Sequence, residues 1–259
     1  ALRARGTHNL DAYLKLLQAG DYFRRFSKEN NILARRKYQE TVALAPDSAA
    51  AYAGMATTYL IEPWVGWSES PAESLKLAMD CARKCLALDA SNPDARAVLG
   101  MVHLVTRQWE KAVEECELAV SLNPNSADNI VILAIALRAV GRVEAALAML
   151  EKALRLNPMP PEWYLHEFGS CYRLLGRYDE AIPVLKRILE GNPDYLNSRL
   201  NLIATYVMAG KEEAARAEAL EVMRQRPDFS VERFLMHFPY KDQKILDGLR
   251  ASLLKAGLR

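Results

Sequence analysis

The stretch that decides the fold is residues 93–126, PDARAVLGMVHLVTRQWEKAVEECELAVSLNPNS. Its first half places apolar and small side chains on one face of a helix, and its second half forms another such face after a short turn. A proline closes the unit, because proline lacks the amide donor that a continuing helix needs. The key positions are Leu99, Gly100 and His103 on the first helix, and Ala112, Cys116 and Ala119 on the second. The stretch therefore predicts a packed pair of helices.

The same pattern recurs with a period of about 34 residues and fills most of the chain. We predict six repeats, over residues 9–47, 48–92, 93–126, 127–161, 162–195 and 196–229, and a C-terminal cap over residues 230–259. The first two repeats are longer than the others. Neighbouring pairs bury a continuous core together, so the repeats predict a single all-α solenoid domain.

The large, small and aromatic spacing of these positions resembles the tetratricopeptide repeat (TPR). This resemblance covers almost the whole chain. It implies a right-handed superhelix of six helix pairs with capping helices at the C-terminus. It also implies a scaffold that binds a protein or a peptide in its concave groove.

Composition narrows the function further. Lys and Arg number 34 against 32 Asp and Glu, and no basic stripe with interleaved aromatic residues occurs, so we expect no nucleic-acid partner. The longest apolar run, residues 130–137, is too short for a membrane span. No P-loop, HExxH motif or nucleophile elbow is present, so we expect no enzyme activity, no catalytic residue and no cofactor.

The cysteines indicate a cytoplasmic protein with reduced, buried thiols. The chain has four cysteines and no CxxC spacing. Cys81 and Cys85 lie four residues apart on one predicted helix and could form half of a metal site. No His or Cys with suitable spacing accompanies them, so we expect burial and no metal.

Five short motifs are similar to the TPR tails of bacterial class III adenylate/guanylate cyclases and related signalling proteins. They are RGTHNLDAY at residues 5–13, AAYAG at 50–54, WVGWSESP at 64–71, PEWY at 161–164 and LDGLRASLLKAG at 246–257. This resemblance implies a regulatory module of a larger bacterial signalling protein. The metal-binding aspartates of a cyclase domain are not found, so no cyclase activity is implied. The start at Ala1, within a basic stretch, indicates a fragment of a longer protein.

The first helices of the repeats supply the candidate partner-binding face. By spacing, the groove positions include Ala97, Met101, Leu104, Val131, Ile135, Arg138, Trp163, His166 and Arg173. We expect Arg138 and Arg173 to face solvent and to anchor a carboxylate of an extended or helical partner segment. Their replacement by Ala should then weaken binding and leave the fold intact. The alternative is ordinary variation on a solvent-facing surface.

Trp64 and Trp67, in the long second repeat, leave two interpretations open. Both indoles could cover a gap between repeats, since large aromatic side chains mostly pack. They could instead be exposed anchors for a partner, so we include them among the candidate binding residues. Ser70 is predicted to cap the next helix, with Pro71 at its first position and Glu73 completing a capping box.

After residue 229 the repeat pattern stops. Residues 230–237 predict a short helix that Pro239 ends, and residues 242–256 predict an amphipathic helix with Gly257 as its C-cap. We expect these two helices to cover the last repeat.

Three functions are compatible with this sequence. The first is a non-enzymatic interaction scaffold. The second is an assembly module that forms a homo-oligomer. The third is a small-molecule sensor that uses the apolar groove.

Overall fold

The computed structural model describes residues 9–236 and 238–259. His237, at the end of the predicted short helix, lies outside the described residues. The basic start of the chain and the first four residues of the RGTHNLDAY motif also lie outside them.

Over the described residues the structure has fourteen helices and no strand. The first six are α1 (Leu10–Arg24), α2 (Lys28–Leu44), α3 (Ala49–Trp64), α4 (Pro71–Leu88), α5 (Pro93–Val105) and α6 (Trp109–Leu122). The next six are α7 (Ala127–Ala139), α8 (Val143–Leu156), α9 (Glu162–Leu174), α10 (Tyr178–Gly191), α11 (Leu196–Met208) and α12 (Glu212–Gln225). The last two are α13 (Val231–Leu235) and α14 (Gln243–Lys255). The predicted all-α, TPR-like solenoid is confirmed. Within the described part of the chain, no helix is long and apolar enough to cross a membrane.

The chain divides into two compact units. The N-terminal unit extends to His103 and resumes over Glu110–Pro124, and the C-terminal unit contains Leu104–Trp109 and Asn125–Arg259. In the N-terminal unit α1 packs on α2 and α3 packs on α4. In the C-terminal unit α7 packs on α8, α9 on α10, and α11 on α12. Each of these pairs is one predicted repeat. That the whole chain is a single domain stays a prediction.

Small residues let the two helices of a pair approach closely. A Cβ atom at Gly100 would lie 2.4 Å from the Sγ atom of Cys116. A Cβ atom at Gly169 would lie 2.6 Å from a methyl carbon of Leu185. A larger side chain at either position would force these helices apart, which explains why glycine follows the large residue of the pattern.

The turns inside the later repeats use the left-handed backbone conformation. Gly141, Gly176 and Gly210 have φ values of 86°, 72° and 73°. Arg107 holds the equivalent position in the third repeat with φ 59°. Glycine adopts this conformation without the Cβ penalty that other residues incur, so three of the four turns follow the sequence rule.

The extra residues of the first two repeats mostly lengthen helices. The helices α1 to α4 contain 15 to 18 residues, whereas α5 to α12 contain 13 or 14. Trp64 therefore ends α3, and only Trp67 lies in the loop before α4. The predicted capping box is wrong: Ser70 precedes α4 with Pro71 at its start, but its side chain makes no cap hydrogen bond. Its backbone N–H is instead bound by Ser68 Oγ at 3.1 Å.

The C-terminal helices pack against the last repeat as predicted. Asp242 caps α14 by accepting a hydrogen bond from the Lys244 N–H, and Gly257 follows the helix with φ 103°. Leu246, Leu249 and Leu253 of α14 are buried in one cluster with the apolar residues of α11. The short helix α13 is five residues long and packs on α14.

Candidate partner-binding face of the C-terminal unit

The first helices of the last three repeats, α7, α9 and α11, bring polar side chains to equivalent positions. Arg138 of α7 and Arg173 of α9 are separated by about one repeat period, as are Glu167 of α9 and Asn201 of α11. All four side chains are buried. Buried charges are rare in proteins unless they are paired, so this cluster calls for an explanation.

Arg138 is paired on two sides. Its Nε donates to Glu167 Oε2 at 2.9 Å, and the side chains of both residues are almost fully buried. Its Nη1 donates to the hydroxyl of Tyr240, and its guanidinium carbon lies 5.1 Å from the centre of the Tyr240 ring. Burial lowers the pKa of Arg138, but the Glu167 carboxylate outweighs this effect and the net pKa is raised. Arg138 is therefore charged at neutral pH.

Arg173 is only partly satisfied. Its Nε donates to Asn201 Oδ1 at 2.6 Å, and Asn201 Nδ2 donates to Ser170 Oγ at 2.9 Å. Its Nη1 is buried and has no hydrogen-bond partner among the described residues. Burial lowers the pKa of Arg173, and the charge of Arg138 lowers it further, while Tyr240 partly offsets both effects. Arginine is effectively always protonated in proteins, so Arg173 counts as a positive charge of the cluster.

His166 belongs to the same face but carries no charge at neutral pH. Its Nδ1 lies 3.0 Å from Ser198 Oγ, and its ring stacks on Tyr195 with centroids 5.7 Å apart. Burial lowers the pKa of His166 to about 4. Arg138, Glu167 and Arg173 therefore leave this buried cluster with one net positive charge.

Residues near the C-terminus cover the cluster. We call residues 238–240, Phe-Pro-Tyr, the covering segment. Phe238 and Tyr240 line a cavity of about 10 Å³ together with Phe234 and Leu249. The same cavity is also lined by His166, Ser170, Arg173, Asn197, Leu200 and Asn201. A cavity of this size has room for about one water molecule.

Two hydrogen bonds to the backbone on either side of Tyr240 hold the covering segment in place. The N–H of Lys241 donates to the carbonyl of Ala139, at 2.8 Å. The carbonyl of Pro239 accepts from Trp109 Nε1 at 2.9 Å. Both contacts lie within the C-terminal unit.

The expected exposure of the two arginines is wrong. Arg138 is 6% exposed and Arg173 is 3% exposed, because the covering segment lies over them. Repeat spacing identified the face that they share, but it contains no information about a non-repeat segment that folds back. Tyr240 was missed for the same reason. Glu167 and Asn201 were missed as well, although they lie one repeat period apart on the first helices of their repeats.

The other predicted site residues are mostly buried. Leu104, Val131 and Ile135 are buried in the C-terminal unit, where Trp163 and His166 are half-buried. Ala97 and Met101 are buried in the N-terminal unit. Trp64 and Trp67 are half-buried there, and the Trp67 ring lies 5.5 Å from that of Phe26. Their role in binding stays a prediction.

The cysteine thiols are unreactive by environment. Burial raises the pKa of Cys85, Cys116 and Cys171 to about 12, and it raises that of Cys81 to about 11. Thiols with such values remain protonated at neutral pH, and the thiolate is the form that binds metals. No group of three or more potential metal ligands occurs in the part of the chain that the structure describes.

Comparisons with known proteins agree with the fold. Residues 133–195 and residues 172–234 each match a model of the tetratricopeptide repeat. The transcriptional regulator HilA of Salmonella typhimurium is 24% identical over 222 residues, which cover 84% of this chain and 39% of HilA. The chain thus spans well under half the length of that relative.

Two solved structures show the same fold at low identity. A chain of the Cut9–Hcn1 hetero-tetramer of the APC/C is similar over all of this chain, with a TM-score of 0.71 and 18% identity. The similar region is 44% of the length of that APC/C chain. The pilF protein of Pseudomonas aeruginosa is similar over 85% of this chain and 93% of its own length, with a TM-score of 0.59 and 20% identity. The helix pairs of this chain therefore have the TPR fold.

Proposed function

We propose that this chain is a non-enzymatic scaffold that binds a protein or a peptide on the inner face of α7, α9 and α11. The observation that carries the proposal is the buried polar cluster on that face. The residues of the cluster do not satisfy all of one another's hydrogen-bonding groups, since Arg173 Nη1 has no partner among the described residues. Instead they are contacted by a non-repeat segment of the same chain, and this contact supports the proposal that the face binds a peptide. TPR-fold proteins commonly use such faces to hold partners.

A selection experiment tests this function. A phage-displayed peptide library is panned on the whole chain, and the affinity of a selected peptide is measured by calorimetry. Trp163→Ala and Asn197→Ala change half-buried side chains on the inner face, and each should weaken binding about tenfold. Lys186→Ala on the exposed side of α10 is the control and should leave the affinity unchanged. Equal affinity for all three variants would place the binding surface elsewhere.

We also propose that the scaffold serves a larger bacterial signalling protein in the cytoplasm. Two likenesses support this proposal: the short motifs shared with cyclase tails, and the match to HilA, which is a transcriptional regulator. The sequence of the complete gene tests it, because the proposal requires a sensory, catalytic or DNA-binding domain in the same protein. A gene that encodes only TPR helices would contradict it.

An apolar surface at the C-terminal end of the chain favours homo-oligomer formation as a second candidate function. Leu220 of α12 is 71% exposed and lies with Met223 and Ala256 around a groove between α12 and the end of α14. Exposed apolar surface of this kind often marks an interface. Light scattering over a range of concentrations decides this point, since a monomer at all concentrations would exclude assembly.

A further inference from the structure

The buried cluster on the inner face has one positive charge more than it has negative charges. Arg138 and Arg173 contribute two positive charges, and Glu167 contributes one negative charge that is already bound to Arg138 Nε. Arg173 Nη1 is buried without a hydrogen-bond partner among the described residues. A buried guanidinium with an unused donor is costly, and a carboxylate is the group that best complements it.

The covering segment supplies a neutral oxygen at this place. The Tyr240 hydroxyl accepts from Arg138 Nη1, and the Tyr240 ring lines the cavity together with Arg173. A phenol is uncharged at neutral pH and offers one oxygen. A carboxylate offers two oxygens and a full charge, so it could bind both guanidinium groups at once.

The acidic residue of the neighbouring helix does not fill this role. Glu232 of α13 is exposed and accepts from Arg250 Nε at 2.8 Å. The next residue after Tyr240 is Lys241, which is exposed and carries no carboxylate. The covering segment, Phe-Pro-Tyr, thus places aromatic rings over the inner face and contains no acidic residue.

We propose that Tyr240 holds the place of a partner's carboxylate, and that a peptide carrying an acidic group beside an aromatic side chain displaces the covering segment. This inference rests on the proposed scaffold function and names both the chemistry of the partner and the regulation of the site. The covering segment is the intramolecular occupant, and partner binding requires its release from Arg138 and Arg173.

The preference for an anion can be measured without any peptide. Tyr240→Ala leaves a space shaped for a para-substituted ring, and engineered cavities of this size bind small aromatic molecules. The probes are 4-methylbenzoate, which carries a carboxylate where tyrosine has its hydroxyl, and the neutral 4-methylbenzamide. We expect 4-methylbenzoate to bind the variant about tenfold more tightly, with a larger rise in melting temperature. Arg173→Met in the same background should abolish the preference, whereas Arg187→Met at an exposed site should retain it.

Displacement of the covering segment by a peptide is measured on the wild-type chain. This second experiment also tests the proposal if the Tyr240→Ala variant fails to fold. The probes are two synthetic peptides of residues 232–241, in which the tyrosine is replaced by 4-carboxyphenylalanine or by 4-carbamoylphenylalanine. The carboxylate peptide should bind about tenfold more tightly than the amide peptide, and Arg173→Met should make the two equal.

The outcomes separate this inference from the proposed function. Equal binding of the acidic and neutral probes would overturn the carboxylate assignment, even if library peptides bind the inner face. Binding of 4-methylbenzoate to the variant, with no binding of either peptide to the wild type, would overturn displacement of the covering segment. If no peptide is selected from the library but the Tyr240→Ala variant strongly prefers 4-methylbenzoate, the scaffold function is overturned and the anion site is still supported.

Discussion

The ion pair between Arg138 and Glu167 joins the first helices of two successive repeats, and its burial makes it costly to break. Arg138→Ala would leave the Glu167 carboxylate buried without its partner, so we expect the free energy of unfolding to fall by about 3–5 kcal/mol. Denaturant unfolding of the whole chain measures this loss. The binding of a partner to such a variant must therefore be compared only under conditions where it remains folded.

A double variant controls for the ion pair itself. Arg138→Met with Glu167→Leu removes both charges and keeps apolar volume, so it should be more stable than Arg138→Ala alone. If Arg138→Ala costs less than about 1 kcal/mol, the carboxylate is not buried as the structure places it.

Replacing a helical glycine by alanine should have opposite effects on stability at Gly100 and at Gly248. At Gly100 a Cβ atom would lie 2.4 Å from Cys116 Sγ and 3.1 Å from the carbonyl oxygen of Ala112. At Gly248 of α14 the nearest atom outside its own helix would be Met208 Cε at 3.9 Å, an ordinary contact distance. Gly100→Ala should therefore destabilise the chain by about 1–3 kcal/mol, because the helices must separate. Gly248→Ala should stabilise it by about 0.5–1 kcal/mol through helix propensity. Thermal unfolding of the two variants gives the sign, and equal shifts would contradict the close packing at Gly100.

The helix α14 stabilises the last repeat, because its buried leucines lie in one cluster with the apolar residues of α11. Deleting residues 242–259 removes the apolar residues that cover α11 and the Arg259 carbonyl that accepts from the Val231 N–H. We expect a lower melting temperature and aggregation, measured by thermal unfolding and light scattering, because the face of α11 becomes exposed. A truncated chain that melts like the intact one would show that α14 is not a cap.

Two adjacent leucines of α14 provide the matched control. Leu253 is fully buried and Leu254 is 48% exposed. Leu253→Ala should cost about 2–5 kcal/mol, and Leu254→Ala should change the stability by less than about 0.5 kcal/mol. Similar costs at the two positions would indicate that α14 rotates or detaches in solution.

At the scale of the whole molecule, burial predicts a gradient of local stability. The helix α11 is buried continuously from Ser198 to Tyr206, whereas α1 exposes Leu10, Leu14 and Leu17. Amide hydrogen exchange in the native state should be slowest in α11 and fastest in α1, because protection is greatest where a helix is buried among neighbouring helices. Equal protection of the two helices would indicate one cooperative unit.

The repeat period predicted most of this fold because its contacts are local. Helix pairs, turn glycines and buried small residues all follow from side chains a few residues or one period apart, as Gly100 and Cys116 show. The covering of the inner face could not be predicted in this way. Tyr240 contacts Arg138, which lies 102 residues earlier in the sequence, and the repeat pattern does not predict this contact. The sequence therefore located the face and gave the wrong exposure for its arginines.

The hydrogen bond from Trp109 to Pro239 has a practical consequence. The fluorescence emission of an indole depends on the polarity and hydrogen bonding around its ring, and Trp109 Nε1 donates to a carbonyl beside Tyr240. Replacing Trp64, Trp67 and Trp163 by Phe would leave Trp109 as the sole indole of the chain. Its emission would then report, without an added dye, whether the Phe-Pro-Tyr tripeptide is docked or released, and stopped-flow mixing would give the rate of that change.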